Sequence, residues 1–150
     1  SFMPITDNRM TRFNISLEDG CEMVFYSLEK ALGGEIFIPK IPSYKILDVA
    51  KAIAPELEHR VVGIRPGEKL HEEMITSSDS FNTVDLGHYF AILPQKSPYS
   101  RYSKEDYKKA FNAIDVPEEF SYNSGKNTNW ETVESLRELV RLHVDSNFKI

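Results

Sequence analysis

Ser16-Leu-Glu-Asp-Gly-Cys-Glu-Met-Val-Phe-Tyr-Ser-Leu-Glu-Lys-Ala-Leu-Gly-Gly-Glu-Ile-Phe-Ile-Pro39 encodes a helix, its stop and a strand in one run. Ser16 is a good N-cap, because its hydroxyl can accept from the amide three residues on, and the acid Asp19 stands there to reciprocate. Leu17, Cys21, Val24, Phe25, Leu28 and Leu32 recur at three- and four-residue intervals, the stripe of an amphipathic helix. Cys21 lies on that stripe, which predicts a buried, inert thiol. Gly33-Gly34 ends the helix, and Glu35 to Pro39 is a short β-prone run.

The same alternation extends outward. Pro42-Ser43 predicts the opening of a second helix, with Ile46, Val49, Ala50 and Ile53 on one face and Pro55 beyond its end. Arg60 to Ile64 reads as a strand leading into a Pro66-Gly67 turn and a short helix from about Leu70 to Ile75. A polar break covers Thr76 to Thr83, and His88 to Leu93 reads as another strand. Ser103 and Asp106 repeat the capping signature ahead of Tyr107, Ala110, Phe111 and Ile114. A loop rich in Ser, Asn and Gly precedes a last helix from Thr132, with Val133, Leu136, Leu139 and Val140 turned inward. Strands alternating with helices predict an α/β or α+β unit, read as one domain over 1–150.

Bulk properties narrow the function classes. With 150 residues, 41% hydrophobic and 27% charged, the chain suits one soluble domain with a real core. A net charge of -5 argues against general nucleic-acid binding, which needs basic surface. A phosphate site remains open, since two placed arginines suffice for one. The single cysteine excludes an internal disulfide and fits a reducing compartment. No apolar run approaches the ~20 residues of a membrane span, and the first residues lack the layout of a signal peptide, so the expected location is cytoplasmic. Ser1 and Phe2 read equally as a cloning scar or as natural sequence.

Two segments carry candidate chemistry. In Arg65-Pro-Gly-Glu-Lys69, an arginine between a strand end and a predicted helix N-terminus is placed to grip a phosphate. Glu68 could accept hydrogen bonds from vicinal ribose hydroxyls. The plain alternative is a turn whose charges are solvated or paired with each other. In Thr6-Asp-Asn-Arg-Met-Thr-Arg-Phe13, Arg12 could face an anion, with Phe13 anchoring the loop; the alternative is an ordinary surface loop. Tyr26 and Lys30 match the spacing of a dehydrogenase acid/base pair, but any tyrosine and lysine four apart on a helix do so. The seven glycines form no dinucleotide-binding fingerprint. His59, His71, His88 and His143 lack metal-ligand spacing, and neither a P-loop nor a nucleophile elbow is present.

Pro4-Ile-Thr-Asp-Asn-Arg-Met-Thr-Arg-Phe13, Gly34-Glu-Ile-Phe-Ile-Pro-Lys-Ile-Pro-Ser43 and Gly63-Ile-Arg-Pro-Gly-Glu-Lys-Leu-His-Glu-Glu73 together resemble the C-terminal half of UDP-N-acetylglucosamine 4,6-dehydratases. These are extended short-chain dehydrogenases, and the inverting enzymes of pseudaminic-acid biosynthesis match best. The resemblance is specific over Pro4 to Ile75 and looser through Asn127-Thr-Asn-Trp130 to the last helix. It implies that Arg12 and Arg65 contact a nucleotide diphosphate, that Glu68 holds ribose hydroxyls and that Thr6 lies beside the base. It implies the substrate-binding portion of the fold without the GxxGxxG half, hence no catalytic residue and no cofactor site in this chain.

In the family, hydride passes from sugar C4 to NADP, water leaves across C5 and C6, and the hydride returns to C6. NADP and a Rossmann half are therefore implied partners in a longer parent enzyme, with a UDP-sugar as substrate and a homo-oligomer as one expectation. The product class is a 4-keto-6-deoxy sugar nucleotide for surface polysaccharide or flagellin glycan. Alone, the chain is expected to be inactive. The competing reading is a stand-alone, non-catalytic nucleotide-sugar-binding or interaction module.

Overall fold

A computed structural model describes residues 1–95 and 101–149. Along the chain run β1 (Phe2–Ile5), β2 (Thr11–Phe13), α1 (Leu17–Lys30), β3 (Ile36–Pro39), β4 (Ser43–Lys45), α2 (Ile46–Ile53) and β5 (Glu58–Val61). There follow β6 (Glu73–Ile75), a 3-10 turn (Ser77–Asn82), β7 (Thr83–Asp85), β8 (Tyr89–Ile92), α3 (Lys104–Phe111), β9 (Ile114–Asp115), β10 (Tyr122–Asn123) and α4 (Val133–His143). The class is mixed α/β, as the alternating pattern predicts. The residues group into two compact units.

The first unit comprises Ser1–Ser16, Ile41–Glu72 and the chain from Asn123 onward. In it β1 runs parallel to β5, with Phe2 opposite Glu58 and Ile5 opposite Val61. β2 pairs antiparallel with β4, placing Thr11 opposite Lys45 and Phe13 opposite Ser43. Helices α2 and α4 pack together, burying Ala50, Ala52 and Leu136. Arg137 of α4 donates to the carbonyls of Lys51 and Ala52 at 3.3 and 3.4 Å, serving oxygens that the end of α2 leaves without an intrahelical partner.

The second unit comprises Leu17–Lys40 and Glu73–Tyr122. Its sheet has the order β3-β8-β7-β9, all antiparallel. Val84, Ala91, Leu93, Tyr107 and Ala113 form its core, with Leu32, Phe37, Leu86 and Phe111 packed on it. The Tyr107 hydroxyl donates to the Gly33 carbonyl at 2.7 Å, tying α3 to the turn after α1 and satisfying a polar atom among apolar neighbours.

Three local expectations change. No helix follows Pro66-Gly67; the chain bends and enters β6, whose residues pass from exposed Glu73 to fully buried Ile75. Ser43 opens a strand rather than a helix, because its amide bonds the Asn129 carbonyl and its carbonyl accepts from Glu131. These long-range partners fix it extended, and the helix starts at Ile46. Helix α1 has the predicted start and ends at Lys30, short of Leu32, but its apolar stripe faces outward. No residue of α1 is buried, and Leu17, Val24, Phe25, Leu28 and Cys21 are all exposed. The half-buried side is that of Met23, Tyr26 and Ser27. Tyr26 rests edge-on against Phe37 and stacks on Tyr89 at 4.5 Å. Periodicity identifies an amphipathic helix; it carries no information about which face the rest of the chain covers.

The cap of α3 is as read, and α4 starts where expected, with a cap that the sequence reading did not name. Ser103 and Asp106 bond reciprocally, as do Thr132 and Ser135. Ser103→Ala should lower unfolding stability by about 1 kcal/mol, measured from urea midpoints. The Ser103 hydroxyl and amide hold the Asp106 carboxyl below its usual range. Its contribution is therefore complete above the ordinary aspartate pKa and lost as pH falls through the depressed one. Acid unfolding followed by circular dichroism should show a shallower loss there for Asp106→Asn.

Candidate functional site

The first unit brings the two arginine-bearing segments together. β1 and β5 are parallel, so their carboxyl ends point the same way, and the Val62 amide extends the pairing to the Ile5 carbonyl at 2.8 Å. Thr6, half-buried, follows the end of β1, and the chain leaving β5 reaches Arg65 four residues on. The mouth beyond strand carboxyl ends is where open α/β arrangements place ligands, because the loops there diverge and expose backbone donors.

Arg65-Pro66-Gly67-Glu68 is a closed turn. The Glu68 amide donates to the Arg65 carbonyl at 3.1 Å, and Gly67 has φ +86°. Proline in second place and a left-handed glycine in third are the type II signature. The Glu68 carboxylate accepts the Arg65 amide at 3.0 Å and lies 3.6 Å from its guanidinium. Arg65 thus sits on a turn with no helix dipole behind it, which corrects the expectation of a helix N-terminus. Its side chain is 81% exposed, so its pairing with Glu68 is weak and exchangeable.

Lys69 to Glu72 then run beside β2. The Thr11 amide donates to the Leu70 carbonyl at 3.0 Å. Arg12 gives Nη1 to the carbonyls of Thr11 (2.6 Å) and Leu70 (3.4 Å), Nη2 to that of Lys69 (3.0 Å), and sets Nε 3.3 Å from Glu72. A guanidinium carries five N–H groups, and these contacts engage four of them, one Nη2 hydrogen lying outside them. Arg12 is therefore first a clamp on the loop that bears Arg65 and Glu68. Arg9 is engaged differently: it chelates Asp7, whose carboxyl its side chain lowers to about 2.

Beneath Arg12 lies a polar cluster that the sequence did not disclose. Thr11 and Ser124 are buried with hydroxyls 2.7 Å apart, and Thr11 is also 2.7 Å from His71 Nδ1. The Glu72 amide donates to the Ser124 hydroxyl at 2.9 Å, and the Ser124 amide to the Glu72 carbonyl at 2.8 Å. His71 is visible in the sequence beside the Pro-Gly turn. Ser124, 113 residues from Thr11, carries no local signal.

The Tyr26–Lys30 pair sits in the other unit. Burial, and then the neighbouring Tyr89, push the Tyr26 hydroxyl up, opposite to what a tyrosine acid/base needs, while Lys30 bonds Glu29 at 2.7 Å. The residues do not fit a dinucleotide either. Among the described residues, the parallel pair β1–β5 leads into no glycine-rich turn and helix: a Thr-Asp-Asn bend follows β1, and the Pro-Gly turn ending in strand β6 follows β5.

A family model described as polysaccharide biosynthesis protein matches residues 1–94. The chain belongs to the polysaccharide biosynthesis protein family. Over 92% of its length it is 48% identical to a UDP-N-acetylglucosamine 4,6-dehydratase (inverting) of Campylobacter jejuni subsp. jejuni, of which it spans 42%. It is 33% identical over 89% of its length to a UDP-glucose 4-epimerase of Rickettsia akari, spanning 40% of that protein. In three dimensions it is similar to the crystal structure of Pen from Bacillus thuringiensis, with TM-score 0.71 and 26% identity, covering 92% of this chain and 40% of that one. The chain thus spans about two fifths of the length of the curated relatives it matches, and its resemblance to the dehydratases rests on nearly the whole chain. No helix among its described residues is long and apolar enough to cross a membrane.

The turn gives a direct check. At φ +86° a side chain is strained, so Gly67→Ala should cost about 1–2 kcal/mol, measured by chemical unfolding. No Cβ clash adds to this, since open space surrounds the position.

Proposed function

We propose that this chain is the nucleotide-sugar-binding part of a UDP-N-acetylglucosamine 4,6-dehydratase of the inverting type. Arg65 and Arg12 take the diphosphate, Glu68 takes the ribose hydroxyls, and Thr6 lies beside the base. The observation that supports this reading is the clamp of Arg12 on the Lys69–Glu72 segment, which joins two distant basic segments at the carboxyl end of a parallel strand pair.

The chemistry suits a diphosphate. Arg65 is exposed and only loosely paired, so a diphosphate replaces a weak partner with charge-assisted bonds at little cost. Its release from Glu68 frees a carboxylate for two neighbouring hydroxyls. Arg12, fixed by backbone carbonyls, offers its remaining Nη2 hydrogen without rearranging, which keeps the ordering cost of binding low. Binding through diphosphate and ribose leaves the sugar to project toward the reacting groups of the whole enzyme. In that enzyme NADP supplies the hydride acceptor, and it binds outside this chain. Activity in the parent belongs to the cytoplasm, where nucleotide sugars and a reduced Cys21 are both at home.

Alone the chain binds UDP weakly and turns nothing over. Incubation with UDP-N-acetylglucosamine and NADP should yield no 4-keto product; a product formed by this chain alone would overturn the assignment. Titration with UDP, followed by amide shifts, should move Arg12, Arg65 and Glu68. Arg65→Ala should weaken that binding at least about tenfold, the lower range for a charge-assisted bond. Unchanged affinity would remove Arg65 from the diphosphate site.

A further inference from the structure

Glu72, Ser124, Thr11 and His71 form an unbroken line of polar atoms, and its protons have one consistent arrangement. The Glu72 amide is a fixed donor, and it points at the Ser124 hydroxyl oxygen at 2.9 Å. The Ser124 proton then needs an acceptor. Ser124 is 0% exposed, and the acceptor within reach is the Thr11 hydroxyl at 2.7 Å. Having accepted from Ser124, Thr11 (3% exposed) donates its own proton to His71 Nδ1, again at 2.7 Å. This requires a lone pair on Nδ1 and the ring proton on Nε2. In the reverse order Nδ1 donates to Thr11 and Thr11 to Ser124. The Ser124 proton is then stranded in a fully buried place, an unsatisfied polar group of the kind that folded proteins avoid.

The site is shaped for the imidazole. A Cβ at Gly125 would lie 2.5 Å from Nδ1 and 2.7 Å from Cγ and Cε1 of His71, so the ring occupies space that only glycine leaves free. Both ends of the line are fastened to functional segments. His71 and Glu72 continue the turn bearing Arg65 and Glu68, and Thr11 precedes Arg12 on β2.

We infer that His71 is a positioning residue, held as the neutral Nε2–H tautomer at the end of a one-way chain of hydrogen bonds, that sets the Arg65–Glu68 turn against Arg12. The inference deepens the nucleotide-binding reading and rests on it for its consequence, whereas the tautomer and the loop geometry stand on the cluster alone. Removing the acceptor at Nδ1 leaves the Thr11 proton without a partner. The Lys69–Glu72 segment then loses a buried anchor, and the bonds of Arg12 and the Thr11 amide to its carbonyls, with the Arg12–Glu72 ion pair, are left to hold it to β2.

The test uses the whole 150-residue chain. Two-bond proton–nitrogen correlation at about pH 8, where a free imidazole is neutral, should report the Nε2–H tautomer for His71. The Nδ1–H form would overturn the inference. His71→Asn puts an amide oxygen close to the place of Nδ1 and should keep UDP affinity within about threefold. His71→Phe fills the space without an acceptor; it should weaken UDP binding about tenfold, the equivalent of one unsatisfied buried hydroxyl, and shift the amides of Arg65, Gly67 and Glu68. Equal behaviour of the two variants would refute the positioning role. If His71→Phe does not fold, Thr11→Val against Thr11→Ser makes the same comparison, with Ser restoring binding and Val losing it. Should the wild-type chain fail to bind UDP at all, the nucleotide reading falls. The tautomer and the loop amide shifts, recorded without ligand, still decide the inference.

Discussion

The interaction on which the site depends is the seating of the Arg12 guanidinium on the carbonyls of Thr11, Lys69 and Leu70. Backbone carbonyls in a loop without regular pairing need donors, and a planar fork of five N–H groups serves several at once. One side chain therefore replaces the ladder that a strand pair would otherwise supply. The segment that begins at the Pro66-Gly67 turn is held beside β2, although 57 residues separate Arg12 from Lys69. Around this clamp the other observations fall into order: the Thr11–Ser124 hydroxyl pair beneath it, Glu72 at its Nε, and the turn carrying Arg65 and Glu68 beyond it.

A clamp of this kind divides the labour between two arginines that look alike in the sequence. Arg12 is half-buried and mostly committed to backbone oxygens, so its place is fixed before any ligand arrives. Arg65 is exposed, and its partner is an acid three residues away on the same turn. Under the proposed reading, one committed and one exposed guanidinium together suit an anion with two phosphates. Conversely, neither arginine is backed by a helix N-terminus. Under the proposed reading, affinity for an anion then comes from side chains and not from a helix dipole.

The apolar stripe of α1 shows how far pattern reading goes. Leu17, Cys21, Val24, Phe25 and Leu28 repeat as a core face would, yet all are exposed, while Met23, Tyr26 and Ser27 on another side are half-buried and Tyr26 meets Phe37 and Tyr89 of the sheet. Helical periodicity arises wherever an apolar face is to be covered, by the same chain or by anything else. The pattern therefore marks a surface with affinity for apolar cover and does not name the cover.

Local chemistry made several features legible in the sequence alone. Ser103 announces a helix start because its hydroxyl has one good partner, three residues on. Pro66-Gly67 announces a type II turn because only those two residues meet its dihedral demands cheaply. The Met-Thr-Arg-Phe and Arg-Pro-Gly-Glu-Lys segments marked the candidate site by resemblance to a family that the full-chain comparisons support. The tertiary structure decided the rest. It made Ser43 extended through Asn129 and Glu131, turned the predicted helix after Lys69 into a bend and a strand, and brought Ser124 to Thr11. Those outcomes depend on hydrogen bonds between residues far apart in the chain, and such bonds leave no periodicity and no local spacing to read. What the sequence by itself determined was which residues are candidates for the chemistry; that Thr11, His71 and Ser124 meet beside them is a property of the folded chain, because their partners are set by folding and not by neighbourhood.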